Sequence, residues 1–399
     1  MTKDRILIRD SRRFVGGPQG HLLHRRAALK LPLMATAAVT LSAAPRARAA
    51  TARWSADRAH TWYGAQGWLV GANFITSNAV NQLEMFQPDT WDPHRVHAEL
   101  RTARRIGLNT VRVFLHDQLW VQDRRGFQRR LGQFVGIAAR HGIKPLFVLF
   151  DSCWDPHPKL GRQRPPRPGV HNSGWVQSPG AERLGDRRYH GVLQEYVAGV
   201  LTQFRGDRRI LGWDLWNEPD NPANTYRDVE RPDKIELVAD LLPQVFGWAR
   251  AADPGQPLTS GVWQGVWGDP ARRSEISTLQ LDLSDVITFH SYERPREFEG
   301  RIDELSPWGR PIMCTEYLAR SEDSTVEGIL PLARRRHVGA YNWGLVAGKT
   351  QTFLPWDSWD RPYPQGPEVW FHDLVEPGGK PYRDTEVHTI RSLTKRRPR

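Results

Sequence analysis

Two glutamates stand where short β-rich runs end. Glu218 lies in Trp216-Asn217-Glu218-Pro219 at the end of the run 210–217 (ILGWDLWN). Glu316 lies in Cys314-Thr315-Glu316-Tyr317 at the end of the run 310–316 (RPIMCTE), 98 residues later. Paired carboxyls suit a displacement in which one group passes a proton to the leaving oxygen and the other attacks or stabilises the electron-poor carbon. Taken singly, each has a plainer reading, with Glu218 capping a helix before Pro219 and Glu316 held in an ion pair. The distance the fold imposes between them separates the two cases. No His-x-His, H-E-x-x-H or Asp-rich loop offers metal ligands, and no G-x-G-x-x-G or P-loop follows a strand. Neither a metal nor a cofactor is expected.

The runs that carry these glutamates belong to a series of eight. The other six are 68–73 (WLVGAN), 109–116 (NTVRVFLH), 144–151 (KPLFVLFD), 257–263 (PLTSGVW), 285–290 (DVITFH) and 338–344 (VGAYNWG). Between them the apolar residues recur with a period near 3.6. Asp92-Pro93 opens one helix, with Val96, Leu100, Ala103 and Ile106 on one face and Gly107 at its end. A second carries Phe127, Leu131, Phe134 and Ala138 up to Gly142. A third carries Tyr189, Val192, Tyr196, Val200 and Phe204 up to Gly206, and a fourth Ile235, Val238, Leu242, Val245 and Ala249. Eight strands alternating with helices predict an α/β protein of the (β/α)8 TIM-barrel class, with a doubly wound sheet as the alternative. The long connections 152–187 and 345–383 both follow strands and so belong on the C-terminal face, where barrel sites are built.

Barrel geometry then fixes the carboxyl spacing. Eight strands ~4.8 Å apart and tilted ~36° close a ring of radius ~7.6 Å. Strands four and seven are three steps apart, a chord of ~14 Å, and two inward glutamates reaching ~4 Å each leave roughly 5–6 Å between carboxyls. That matches the ~5–5.5 Å of retaining glycosidases rather than the ~6.5–9.5 Å of inverting ones.

From about Trp68 to Leu393 the chain resembles glycoside hydrolase clan A, and within it family 5, the family of cellulases and mannanases. The resemblance rests on Trp216-Asn217-Glu218-Pro219, the strand-seven Glu316, Phe289-His290-Ser291-Tyr292, Arg112 in Val111-Arg112-Val113, and Trp343 at the end of strand eight. It implies Glu218 as acid/base and Glu316 as nucleophile. It also implies Arg112 and Tyr292 as the groups that hold Glu316 ionised, and Asn217 at a 2-hydroxyl. His290 would orient Glu218 or bind sugar, and Trp343 would be the floor under the reacting ring. Asn73 and Trp263 are further candidates for substrate contact, and Trp154, Trp175, Trp267, Trp356 and Trp359 for outer subsites. One departure stands out. Where the family's third strand delivers a histidine two residues after an aspartate, Asp151-Ser152-Cys153 has cysteine, for which His116 and Asp117 are possible stand-ins. The substrate implied is a β-linked poly- or oligosaccharide of the mannan, glucan or xylan type. Rival readings are a catalytically inactive carbohydrate-binding barrel, a transglycosylase with the same covalent intermediate, and a metal-dependent barrel hydrolase.

Composition agrees with a sugar ligand. The 17 Trp outnumber the 14 Phe and 9 Tyr, and all follow position 53. Flat rings suit the C–H faces of sugars. The net charge of +12 invites a nucleic-acid reading, but residues 1–49 alone carry ten Lys/Arg and two Asp, and the last nine residues five more cations. The body is nearly neutral and offers no field to a polyanion. His24-Arg25-Arg26-Ala27-Ala28-Leu29-Lys30, the apolar run 31–44 and Ala47-Arg48-Ala49 resemble a twin-arginine (Tat) export signal with its cleavage site. Residues 1–49 are thus expected to be a signal peptide and 50–399 a single catalytic domain with a short basic tail, exported to the cell envelope or beyond. A carbohydrate is the expected partner, with no nucleic acid, no membrane and a monomeric state. Cys153 and Cys314, the only cysteines, lack the spacing of a redox or zinc motif and are expected to be free thiols.

Overall fold

All eight β-rich runs form strands, and all pair in parallel. The structure, a computed structural model, describes residues 52–395. The proposed leader, residues 1–49, and the last four residues of the basic tail lie outside the described residues. The strands are β1 (Val70–Asn73), β2 (Thr110–Phe114), β3 (Lys144–Asp151), β4 (Gly212–Asn217), β5 (Leu258–Thr259), β6 (Ile287–His290), β7 (Ile312–Tyr317) and β8 (Gly339–Asn342). Their ladder order is β5-β4-β3-β2-β1-β8-β7-β6. The ends of that row meet through a bridge between Val262 and Phe289 and a 2.8 Å hydrogen bond between the Thr259 and Thr288 hydroxyls. The result is a (β/α)8 barrel.

Helix Pro93–Ile106 follows the expected pattern. The Asp92 side chain accepts from Arg95 N at 2.9 Å, Pro93 opens the first turn, and Gly107 ends it in the left-handed conformation. Helix Asp117–Arg140 begins earlier than the periodicity suggested, because two helices meet at Asp123. The backbone there is non-helical, and its carboxylate caps Gly126 N at 2.9 Å. In helix Lys234–Ala251 the core face starts at Val238. Ile235, expected on that face, is 45% exposed in the first turn. A further helix, Ala56–Gln66, covers the N-terminal mouth, where Trp54 and Ala59 pack with Leu69, Leu146, Leu211, Val286, Met313 and Tyr341. No helix among the described residues is long and apolar enough to cross a membrane.

Alternation along the strands decides what faces inward. In β2, Thr110 bonds Tyr341 across the interior at 3.1 Å while Val111 and Val113 pack outward, so Arg112 points in. In β7, Met313 faces the interior and Cys314 the helical layer, so strict alternation would turn Glu316 outward. It does not, because β7 carries an extra residue against both neighbours. Phe289 pairs Cys314 but His290 pairs Glu316, and Ala340 pairs Cys314 but Asn342 pairs Tyr317. Such bulges re-aim a side chain, and this one turns Glu316 into the barrel mouth.

Gly71 of β1 marks a tight approach inside the barrel. A Cβ there would lie 2.7 Å from Thr110 O and 2.6 Å from the Tyr341 ring. Gly71→Ala is therefore expected to destabilise the barrel by about 1–3 kcal/mol, the cost of overpacking a filled core. Urea unfolding should show a lower midpoint at unchanged slope.

Candidate active site

The C-terminal ends of β2, β4, β6 and β7 converge on one cluster, beginning with Arg112. It is wholly buried and every donor it has is used. Nε bonds Asp214 Oδ2 at 2.9 Å, Nη1 bonds Asn73 Oδ1 at 3.0 Å and Glu316 Oε1 at 2.7 Å, and Nη2 bonds Asn217 Oδ1 at 2.7 Å and lies 2.8 Å from Asp214 Oδ2. Burial alone would weaken the guanidinium's hold on its proton, but the two carboxylates reverse this and raise its pKa. The other oxygen of Glu316 accepts from Tyr292 OH at 2.7 Å. Burial, then the charge of Glu316, raises the Tyr292 pKa well above its usual value, so it remains a neutral donor.

Glu218 is held differently. It follows β4 at φ +40°, a left-handed conformation that costs a non-glycine residue about 1–3 kcal/mol and that clusters at functional sites. Its Oε1 lies 2.8 Å from His290 Nδ1, and its Oε2 accepts from Asn221 Nδ2 at 2.7 Å and from the Cys153 thiol at 3.3 Å. None of these partners is a fixed cation. Burial lowers the pKa of His290 to about 4, so its ring is neutral near pH 7. Burial, together with the charges of Asp151, Glu218 and Glu316, keeps Cys153 a thiol. Burial also pushes both glutamates up from the ordinary carboxyl range. His290, Arg112 and the Tyr292 hydrogen bond oppose this at Glu316, whereas at Glu218 the opposition comes first from the Asn221 and Cys153 hydrogen bonds and least from Arg112.

Glu218, His290 and Glu316 present ligand atoms within 4.8 Å of one another, a spacing that can also hold a cation. Both Glu316 oxygens already accept from strong donors, one of them a guanidinium at 2.7 Å. That charge disfavours a metal ion at the same point.

The pair opens into a cavity of about 380 Å³. Of the residues singled out from sequence, Glu218, Glu316, Asn217, Tyr292, Trp343 and Trp263 line it, and His290 sits between the two carboxyls. Asn73 and Arg112 do not line it. Asn73 receives Arg112 and donates to Thr315 O at 2.8 Å, so both residues brace Glu316 from behind instead of facing a substrate. His116 is corrected more fully. It is buried at the start of helix Asp117–Arg140, its Nδ1 accepting from Gln118 N at 3.1 Å, and it does not stand in for the missing strand-three histidine. Cys153 itself occupies that corner, beside Asn217 and Asn221 at 3.4 Å each. Among the outer tryptophans, Trp154, Trp175 and Trp356 line the cavity. Trp267 is fully buried, and Trp359 stacks behind Trp154 at 5.3 Å.

Sequence reasoning missed three groups. Asp214 shares Arg112 with Glu316, and its signal was an acid alternating with apolar residues inside a strand. Asn221 lies one turn of loop beyond Glu218. Asn172 carried no signal. It is buried against the cavity in a left-handed conformation (φ +48°), and neither Nδ2 nor Oδ1 has a partner. A buried polar group left in that state costs about 1–3 kcal/mol.

No protein-family model matches the chain. A probable mannan endo-1,4-beta-mannosidase F of Aspergillus flavus is 26% identical over 142 residues, which cover 32% of this chain and 28% of that protein. The chain thus spans well under half the length of that relative. Among solved structures, an exo-beta-1,4-mannosidase from Opitutaceae bacterium strain TAV5 superposes with a TM-score of 0.54 at 18% identity, covering 82% of this chain and 59% of that one. GH5_18 from Streptomyces cattleya, in complex with GlcNAc, gives 0.53 at 14% identity, covering 83% and 81%. These structures share the barrel, and together with the sequence relative they agree with a resemblance to clan A, family 5.

Proposed function

We propose that this chain is a retaining β-glycoside hydrolase acting on β-mannosidic linkages, with Glu218 as acid/base and Glu316 as nucleophile. The observation that carries the reading is the unequal setting of two carboxyls whose oxygens lie within 4.8 Å. One is tied to a guanidinium and a phenol, and the other only to neutral groups. The single proton that such a pair retains near neutrality belongs on Glu218. The names of the relative and of the Opitutaceae enzyme support mannosides over glucans or xylans.

In the first step Glu316 attacks the anomeric carbon as the bond to the leaving oxygen breaks, and the Glu218 proton passes to that oxygen. Oε2 of Glu218 already accepts from Asn221 and Cys153, so the proton belongs on Oε1, beside the neutral His290 ring. Forming the ester consumes the charge on Glu316, which lowers the proton affinity of Glu218. Glu218 then removes a proton from water, and the oxygen of that water displaces Glu316 from the anomeric carbon. Asn217, fixed between Arg112 and Asp151, faces the cavity where a 2-hydroxyl would lie. The Tat-like leader fits the same reading, because a polysaccharide is met outside the cell.

The test is the anomer first released from an aryl β-mannoside, followed by NMR. The proposal expects β-mannose, and α-mannose would refute double displacement. The pH profile of kcat/KM should be a bell. Activity falls at low pH as Glu316 takes up a proton. It falls at high pH as Glu218 loses one, at a pH above the ordinary carboxyl value because burial raises its pKa. In Glu218→Gln, with a good leaving group, the alkaline limb should vanish. Its persistence would show that another group sets it.

A further inference from the structure

Three loops on one side of the cavity are sewn into a single wall. The first follows β1 (74–92), the second β3 (152–180) and the third β8 (343–383). Between the second and third, Asn172 N bonds Thr350 O at 2.8 Å, His171 N bonds Ser358 Oγ at 2.9 Å, and Tyr363 N bonds Gly169 O at 2.8 Å. The Gln351 amide also donates to Arg167 O at 2.7 Å and Val170 O at 3.0 Å. Gly169 is in the left-handed region (φ +74°), and a Cβ there would sit 2.5 Å from the Tyr363 backbone, so only glycine lets the two chains approach this closely. The first loop joins from below, with Gln82 Nε2 on Val176 O at 2.6 Å and Ser77 O accepting Lys349 N at 3.0 Å. Behind Trp343, the rings of Phe114 and Trp175 fill the remaining space at 5.8 and 6.2 Å.

This wall bounds one side of the cavity. Its lining is buried where the loops are sewn, at His171, Asn172 and Trp175. It is exposed at Asn224, Thr225 and Gln264, on the side of the loops after β4 and β5, and Trp356 of the third loop is 40% exposed. Glu218 and Asn221 stand on that open side. If Glu218 protonates the leaving oxygen, the leaving group runs out past Asn224 and Gln264, and the reacting sugar is the last one that fits before the wall. At the blind end waits Asn172, with an unpaired donor and an unpaired acceptor. A vicinal pair of sugar hydroxyls would satisfy both.

We propose that the cavity is a blind pocket in which Asn172 holds the terminal, non-reducing sugar, so that the chain removes β-linked residues singly from chain ends. This rests on the glycosidase reading above. The test uses β-1,4-mannopentaose labelled at its reducing end, with an aryl β-mannoside alongside. The expected first products are unlabelled mannose and labelled tetraose. Labelled dimer or trimer at the earliest times, or labelled monosaccharide, would overturn the blind pocket while leaving the glycosidase reading intact. Failure to cleave any β-mannoside, β-glucoside or β-xyloside would overturn that reading and this inference with it. Asn172→Ala should lower kcat/KM by roughly ten- to a hundredfold, the loss of one or two hydrogen bonds. That loss should fall mainly on KM, with the thermal midpoint unchanged or raised. Wild-type kinetics in a folded Asn172→Ala would remove Asn172 from the pocket's function.

Discussion

Glu316→Ala is expected to lower kcat/KM for an aryl β-mannoside by roughly 10⁵-fold or more, the scale of loss when a covalent nucleophile is removed. The variant should fold. Removing Glu316 leaves Arg112 with Asp214 still at 2.8 Å, so the buried cation keeps a counter-ion. The cut also leaves space where the carboxylate of the proposed nucleophile stood. Azide entering that space should restore turnover with an activated leaving group and give the α-mannosyl azide, the configuration inverted. Full activity in this variant would sink the nucleophile assignment. Activity lost without any rescue, in a protein that is natively folded, would mean the carboxylate holds Arg112 and Tyr292 in place and does not attack.

Glu218→Ala should divide substrates by their leaving groups. An alkyl or sugar leaving group needs a proton, so its hydrolysis should fall by about 10²–10⁴-fold, the usual contribution of a positioned acid. A dinitrophenolate leaves without help, so its glycosyl-enzyme should still form and then accumulate, because no base remains to activate water. Stopped-flow should show a burst, and azide should discharge the intermediate as the β-mannosyl azide, the configuration retained. Equal loss for good and poor leaving groups would remove Glu218 from the acid role. The two rescues differ in product configuration, so together they assign the glutamates without reference to any relative.

The barrel was legible because its evidence is local and repeated. Each strand announced itself as a β-branched or apolar run between capped helices, and all eight formed. Boundaries were less legible. The run 257–263 keeps only Leu258–Thr259 in the ladder, because the chain then swings out and its only backbone bridge to β6 among the described residues is at Val262. The turning of Glu316 inward was not legible from alternation, which predicts the opposite. It depends on an extra residue that only the register with two neighbours reveals.

In the site, the strand-end groups and the loop aromatics were readable, while the loop amides Asn172 and Asn221 were not. Glu218, Glu316, Asn217 and Arg112 occupy positions that barrel geometry directs toward one point. Asn172 is placed by contacts with Thr350 and its neighbours, 178 residues away, and nothing near it in sequence encodes that meeting. His116 failed for the opposite reason. It lies at a strand end as a site residue should, but the helix begins at the next residue and claims its ring as a cap. Cys153 was noticed only as a departure, and its contact with Glu218 needed the loop's path.

The central claim is that Glu316 becomes covalently glycosylated. Wild-type protein incubated with 2-deoxy-2-fluoro-β-mannosyl fluoride, which slows release of the intermediate more than its formation, should lose activity as it gains one fluoromannosyl mass. Peptide mass spectrometry should place that mass on Glu316, and removing excess reagent should let activity return slowly. A label on any other residue, or steady turnover of the reagent's parent glycoside with no covalent adduct at any time, would contradict the account.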